Sequence, residues 1–366
     1  MTLQITLPHW YDLHTHFRQD ETVRATVADH VKMGCIGALA MPNTKPPVGK
    51  VFEKDDVKDY KSVEAYRQEI MTASGGVFQE VIVPLYITRD IKPEMITAGA
   101  KKGVLKACKY YPPHGTTGAD FGAPFDMFME NGVFAAMEES GVTLCIHGEE
   151  HGLSAEKYFD RGENAEELFY ANKMPLLIRR FPKLRVVAEH LTTKVAVDFV
   201  KSAPEHVKAT VTPQHLMYTI GTLLQGLKYH LYCLPLLKFD EDRLALRQAV
   251  TDPENTKFFA GTDSAPHVKK VTPCGCAAGC YTGGIAPQLY AQAFEMAGVD
   301  LSIAQGQEVF RKFLCEIGQT YYDLPKAQGT FTIEKTAENI KPLAMAGETI
   351  IPLPLGMDTP MTWSIV

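Results

Sequence analysis

The stretch Trp10-Tyr11-Asp12-Leu13-His14-Thr15-His16-Phe17-Arg18 decides how this chain is read. It begins apolar and ends in two histidines spaced two apart. Alternate side chains of an extended strand point to the same side, so a strand over Trp10–His14 brings both imidazoles toward one point. A metal ion needs that convergence, and histidine is the commonest metal ligand among side chains. Arg18, two residues further on, projects from the same region and suits an anionic substrate. Alone, the pair also fits a chance coincidence on an exposed strand.

Working outward, seven further short apolar runs read as strands: Ile36–Met41, Val81–Tyr86, Val104–Lys109, Thr143–His147, Arg185–His190, Val207–Thr212 and Phe258–Asp263. Helical patterns lie between most of them, over Glu53–Met71, Pro93–Lys101, Phe125–Ser140, Ala165–Arg180, Lys194–Lys201 and Asp240–Val250. Eight strands alternating with helices is the α/β pattern of a (β/α)8 TIM barrel. A doubly wound open sheet competes, but no Gly-rich phosphate fingerprint follows any strand. There is no internal repeat or low-complexity segment. After Ser302 the alternation becomes irregular, and Pro342, Pro352, Pro354 and Pro360 punctuate the end of the chain. Residues 1–366 therefore read as a single barrel domain, with an irregular tail from about residue 330 packed on the barrel as a C-terminal extension.

Composition narrows the function classes. The chain has 366 residues, 45% hydrophobic and 22% charged, which is ordinary for a soluble globular protein. A formal charge of −6 offers no basic footprint for nucleic acid. No apolar run approaches a membrane span. The N-terminus lacks the zones of a signal peptide, and eight cysteines without an export signal point to reduced thiols in a cytoplasm.

The barrel reading makes a test possible, because catalytic residues of such barrels sit where strands end. The first strand ends in His14-Thr15-His16, the second in Met41-Pro42-Asn43 and the fourth in Lys109. The fifth ends in His147-Gly148-Glu149, the sixth in Glu189-His190 and the eighth in Asp263. Six polar ends around one mouth exceed what turn chemistry alone explains. Four histidines and an aspartate supply nitrogen and oxygen ligands suited to zinc. Five are too many for one catalytic ion and suggest two, which need a bridge. Lys109 qualifies if its neutral amine takes up carbon dioxide to form a carbamate, and burial favours that neutral form. By spacing alone, a surface salt bridge is the commoner fate of such a lysine.

At this point the residues resemble the dihydroorotases of the amidohydrolase superfamily, in particular the compact bacterial and fungal type. The matching segments are DLHTHFR at 12–18, MPNTKPP at 41–47, KYYP at 109–112, TT at 116–117, HGE at 147–149, EHLTTK at 189–194, TPQHL at 212–216, HLYCLPLLK at 230–238, GTDSAPH at 261–267 and CGCAAGC at 274–280. The resemblance implies two zinc ions per subunit, bridged by carboxylated Lys109 and a hydroxide. His14, His16, Lys109 and Asp263 would hold the more buried ion, and Lys109, His147 and His190 the other. The implied reaction is the reversible cyclisation of N-carbamoyl-L-aspartate to L-dihydroorotate in pyrimidine synthesis. Asp263 would be the catalytic acid–base group. Arg18, Asn43 and His267 match the carboxylate-binding positions, and His147 also faces substrate. The backbone at Leu234 and at Ala277 or Ala278 matches positions that read the ring amides. Thr116 and Thr117, within Pro113–Gly122, match a lid loop; read alone, that segment is an ordinary surface loop. A homodimer is expected from the resemblance only.

Other features read as less informative. Cys274, Cys276 and Cys280 lack a fourth partner for a structural zinc. His147 and His151 have helical spacing, but Gly148 disfavours a helix there, leaving His151 a loop residue. His114, His206, His215 and His230 read as structural or solvated, with His215 beside the mouth. Trp10 and Trp363 read as packing residues. The alternative functions are another cyclic amide hydrolase, of the dihydropyrimidinase or allantoinase kind, and a catalytically silent assembly partner.

Overall fold

The computed structural model describes residues 2–55, 57, 59–113, 115–345 and 348–366. His114 lies outside them. Strands form over Trp10–Thr15, Cys35–Ala40, Ala107–Tyr110, Thr143–Ile146, Val186–Ala188, Val207–Val211 and Phe258–Ala260. The expected Val81–Tyr86 strand is split into Glu80–Ile82 and Leu85–Tyr86, around Pro84, which has no N–H to give a ladder. Trp10–Thr15, Cys35–Ala40 and Glu80–Ile82 form one parallel sheet. The remaining six segments form a second, from Leu85–Tyr86 to Phe258–Ala260 in chain order. Across the other edge, Asp263 N–H donates to the His14 carbonyl at 2.8 Å and His16 N–H to the Ser264 carbonyl at 2.9 Å. Thr15 and Ser264 form an isolated parallel bridge there.

The helices follow local chemistry more than run length. Pro93–Lys101 forms as expected, with proline in its first turn. The expected Glu53–Met71 helix is shorter, covering Val63–Ala73. The Ser62 hydroxyl starts it by accepting the Ala65 N–H at 3.0 Å, and Lys61–Ser62 instead pairs with Val48–Lys50. The expected Phe125–Ser140 helix breaks into Phe125–Glu130 and Val133–Ser140. Gly132, at φ 85°, separates them in a left-handed conformation. Ala165–Arg180 is helical throughout but contains a π turn over Phe169–Lys173. An additional helix, Glu21–Lys32, connects the first two parallel strands.

The chain after Ser302 is more regular than its sequence pattern suggests. Helical turns run over 304–321. Thr330–Glu334 then pairs antiparallel with both Gln4–Pro8 and Ser364–Ile365. The tail is thus a three-stranded sheet shared with the N-terminus, with Trp363 buried. The Trp363 indole N–H donates to Glu295, and that of Trp10 to the Met33 carbonyl.

Side-chain layering positions the polar residues. Tyr11, Leu13, Ala107, Cys145, Val187 and Phe259 share an apolar cluster with Tyr321, Tyr322 and Leu324. Two residues beyond Ala107, Cys145 and Val187 stand Lys109, His147 and Glu189. The period of two puts these three on the same face, one pleat higher.

Candidate metal centre

His14, His16, Lys109, His147, His190 and Asp263 are all buried at or just beyond the ends of their strands. The His14 and His16 rings lie 5.7 Å apart, His14 and His190 4.9 Å, and His147 and His190 4.8 Å. Asp263 Oδ1 is 2.9 Å from His16 Nε2 and 3.4 Å from His14 Nε2. Ligand atoms of His14, His16 and Asp263 all lie within 4.8 Å of one another. Two positions reach the cluster by unusual backbone: His190 has φ 42° and Asp263 φ 47°. Left-handed backbone at a non-glycine residue is costly and gathers at functional sites. Gly261 permits the approach, since a Cβ there would stand 2.7 Å from Thr210 Cγ2 and 2.9 Å from His14 Cβ.

Most protonation states suit metal ligation; His14 is the exception, because burial lowers its proton affinity but Glu189 and Asp263 outweigh that and raise it. Burial favours the neutral acid at Asp263, but hydrogen bonds from His14 and His16 outweigh it and hold the carboxyl well below its ordinary range. Burial, aided by Arg18, lowers His16 to about 4. Burial with nearby cationic groups also lowers His190 well below the usual imidazole value, leaving a neutral ring. Burial lowers Lys109, against the pull of Glu189, and so favours the free amine that carbamate formation requires.

Among the described residues, several buried polar atoms in this region lack a hydrogen-bond partner, including Asn43 Oδ1 and the Tyr111 hydroxyl of the cleft wall. Lys109 Nζ, His190 Nδ1 and Glu189 Oε1 are also buried without one. Each such group costs about 1–3 kcal/mol. Nitrogen and oxygen donors of this kind fit a divalent metal with a bridging carboxylate. Carboxylates meanwhile fix two imidazoles from behind. His14 Nδ1 lies 2.6 Å from Glu189 Oε2, and His147 Nε2 lies 2.6 Å from Glu149 Oε2. Each bond sets a tautomer and leaves the other ring nitrogen available. Sequence reading gave neither glutamate a role, although Glu189 follows the same two-residue offset as Lys109 and His147.

Beside the cluster, one wall of the cleft carries a cationic side chain, Arg18. Arg18 lies with Nη2 3.2 Å from His267 Nε2 and Nη1 3.4 Å from His16 Nδ1. Its own backbone is left-handed, at φ 63°, and the Tyr66 hydroxyl donates to its carbonyl at 2.7 Å. His267 is pushed down to about 2 by burial and by Arg18. The Asn43 amide donates to the Thr117 carbonyl at 2.8 Å, and the Thr117 hydroxyl to the Ala278 carbonyl at 3.4 Å. Thr116, Leu234 and Ala278 line the same cleft. Ala277 lies elsewhere, its N–H bonded to the Lys270 carbonyl.

Other singled-out residues serve local structure. His215 bridges the Thr212 hydroxyl and the Pro235 carbonyl. The thiols of Cys276 and Cys280 meet the carbonyls of Tyr229 and His230. His151 is half-exposed in an adjoining crevice that Pro113 and Gly115 also line. His206 and His230 lie outside the cleft.

No family model matches the chain. Among curated proteins, the dihydroorotase of Acaryochloris marina is 39% identical over 369 residues, 99% of each chain. That of Synechocystis is 39% identical over 370 residues, 100% of this chain and 99% of its own. The solved dihydroorotase of Saccharomyces cerevisiae, in complex with 5-fluoroorotic acid, superposes with a TM-score of 0.84 at 24% identity, covering 99% of this chain and 98% of that one. A D-hydantoinase aligns at a TM-score of 0.70 and 12% identity, over 99% of this chain and 82% of that one, a likeness of fold alone. Identity of this extent over the full length places the chain in the dihydroorotase family, of metal-dependent amidohydrolases.

Proposed function

We propose that the chain cyclises N-carbamoyl-L-aspartate to L-dihydroorotate with release of water, and catalyses the reverse, as a step of pyrimidine nucleotide synthesis. The observation that carries this reading is a metal-type cluster and a cationic anion subsite in one cleft. The hydrolytic substrate is a cyclic amide bearing a carboxylate, and it needs both. The same reading treats residues 1–366 as one (β/α)8 barrel with a C-terminal extension. The strand order and the hydrogen bonds joining His14 to Asp263 support that closure.

His14, His16, carboxylated Lys109 and Asp263 would hold one zinc ion, and Lys109, His147 and His190 the second. The orphaned Lys109 amine and His190 nitrogen support this assignment. When bound, the ions supply a nucleophilic water of lowered pKa and polarise the amide carbonyl. Asp263, kept ionised, takes the proton of the attacking water and passes it to the ring nitrogen as the amide opens. In the closing direction it takes the carbamoyl nitrogen's proton. Arg18 pairs with the substrate carboxylate in two-point fashion, with Asn43 and His267 beside it. His147 faces substrate, while the backbone at Leu234 and Ala278 reads the ring amides. Thr116 and Thr117 cap the site and exclude water. No helix of the described residues is long and apolar enough to cross a membrane. That fits a cytoplasmic enzyme with free thiols, and a homodimer is the proposed assembly.

The test is turnover together with metal content. Purified protein should hold zinc and consume dihydroorotate, followed by its absorbance. Hydrolysis of hydantoin or dihydrouracil with none of dihydroorotate would assign it to another cyclic amidohydrolase.

A further inference from the structure

Lys270 lies outside every motif given a role above, yet it is buried, with 8% of its surface exposed. Its ammonium donates to the Tyr232 carbonyl at 2.7 Å and to the Gly279 carbonyl at 2.5 Å. The same two segments are tied again by the Gly279 N–H, which donates to the Tyr232 carbonyl at 2.9 Å. Lys270's own carbonyl accepts the Ala277 N–H at 2.8 Å. These bonds converge on the two loops that present Leu234 and Ala278 to the cleft. Gly279 makes the arrangement possible, because a Cβ there would stand 2.6 Å from Ala265 Cβ and 2.8 Å from His267 Nε2.

An ammonium that satisfies backbone carbonyls deep in a fold can cost as much as it stabilises, because burial penalises the charge. Here burial does lower Lys270's proton affinity, while cysteines of the adjoining loops oppose that. Among the described residues no carboxylate forms an ion pair with it, so its charge acts on its surroundings. Those include His267, whose proton affinity Lys270 depresses, and Arg18, which in turn depresses that of Lys270.

We propose that Lys270 is a positioning residue for substrate binding. It clasps the Tyr232–Pro235 and Ala278–Gly279 segments at the separation that lets both backbones read one ring, and it adds positive potential beside Arg18. The inference rests on the dihydroorotase reading. It concerns binding more than the chemical step, since Lys270 touches neither the metal cluster nor Asp263.

The experiment compares zinc-loaded wild type with Lys270→Met, which keeps the apolar stem, and Lys270→Arg, which keeps the charge and donors. Binding of 5-fluoroorotic acid is measured by calorimetry, turnover of dihydroorotate by absorbance, and zinc content and melting in parallel. Hydrogen bonds to a charged group are strong enough that Lys270→Met should raise Kd and KM about tenfold or more. Its kcat should change by less than about threefold at unchanged zinc content, because uniform binding is what is lost. Lys270→Arg should recover most of the affinity. A folded Lys270→Met with wild-type Kd and KM overturns the proposal, as does a fall in kcat alone. Loss of cooperative melting in both variants assigns Lys270 to stability and also overturns it. Wild type that neither binds 5-fluoroorotic acid nor consumes dihydroorotate breaks the functional reading instead.

Discussion

The two halves of the strand-end cluster are built in opposite ways. Around Asp263 the polar atoms satisfy one another. His14 and His16 both reach Oδ1, Glu189 backs His14, and the Asp12 carboxylate accepts the Thr262 N–H at 3.0 Å, just before Asp263. Around Lys109 the demand is unmet, with the amine, His190 Nδ1 and Glu189 Oε1 all buried without a hydrogen-bond partner, the amine facing the Tyr111 ring at 5.0 Å from its centroid. Hydrogen bonding alone can hold the first half together. The second half pays a folding cost that protein groups do not return, and a fold keeps such a cost where chemistry uses it. The contrast supports the proposed role of the Lys109–His190 side as the part that bound ions would complete.

Lys109→Met breaks the contrast most severely. It should abolish turnover, by about 10⁴-fold or more, since metal assistance supplies several kcal/mol of the barrier reduction. It should also lower bound zinc. Freed of an orphaned amine, the metal-free variant should melt at or above metal-free wild type. Differential scanning calorimetry after chelation checks this, and a clear fall in melting temperature would show that Lys109 has a structural partner. Asp263→Asn strikes the satisfied half. A general base is worth about 10²–10⁴-fold, so kcat should fall by that much. Binding of 5-fluoroorotic acid should change less, and an unaltered kcat would remove Asp263 from the proton path. Next in size is Arg18→Met. Losing a charge-assisted pair should raise KM for dihydroorotate by about 10–100-fold, with the effect on kcat smaller; an unchanged KM would place the substrate carboxylate elsewhere.

Much of this contrast was legible in the sequence, for a physical reason. Lys109 and His147 follow apolar residues by two, at Ala107 and Cys145, so ordinary strand alternation places them at the mouth. The same rule points to Glu189 from Val187, although the histidine beside it is the residue of the expected ligand type. His190 joins the face only through its left-handed backbone, which no periodicity reports. The Glu21–Lys32 helix was hidden because its buried stripe contains Thr26 and His30 as well as Val23 and Val27. His30 is buried usefully, against Asp12 at 3.0 Å, but it breaks an apolar pattern. The tail sheet escaped notice because Thr6 pairs with Thr332, a contact that local sequence cannot signal. Pro84 and Gly132, by contrast, are breakers visible in the sequence, and they interrupt the Val81–Tyr86 and Phe125–Ser140 runs.

The smallest effect concerns acid. His190 is held neutral by burial, so its folded-state proton affinity lies below that of the unfolded chain, near 6.5. The unfolded state then binds more protons below that value. The stability from the neutral ring is present above about pH 6.5 and is lost as pH falls toward the folded value. His16, lowered to about 4, adds to the loss in the same window. Asp263 does not, because its carboxyl is lowered from the unfolded value near 3.8, so its contribution is lost only as pH falls below that value. Metal-free His190→Asn should therefore lose less melting temperature between pH 7 and 5 than metal-free wild type. His14, whose proton affinity Glu189 raises despite burial, opposes this trend, and its ring lies 4.9 Å from His190, so His14→Asn and the double variant complete the cycle. Parallel melting curves for His190→Asn and wild type would mean that His190 is already protonated in the fold. Its orphaned nitrogen would then be a donor, and the Lys109 half would need an anion beside it rather than a metal.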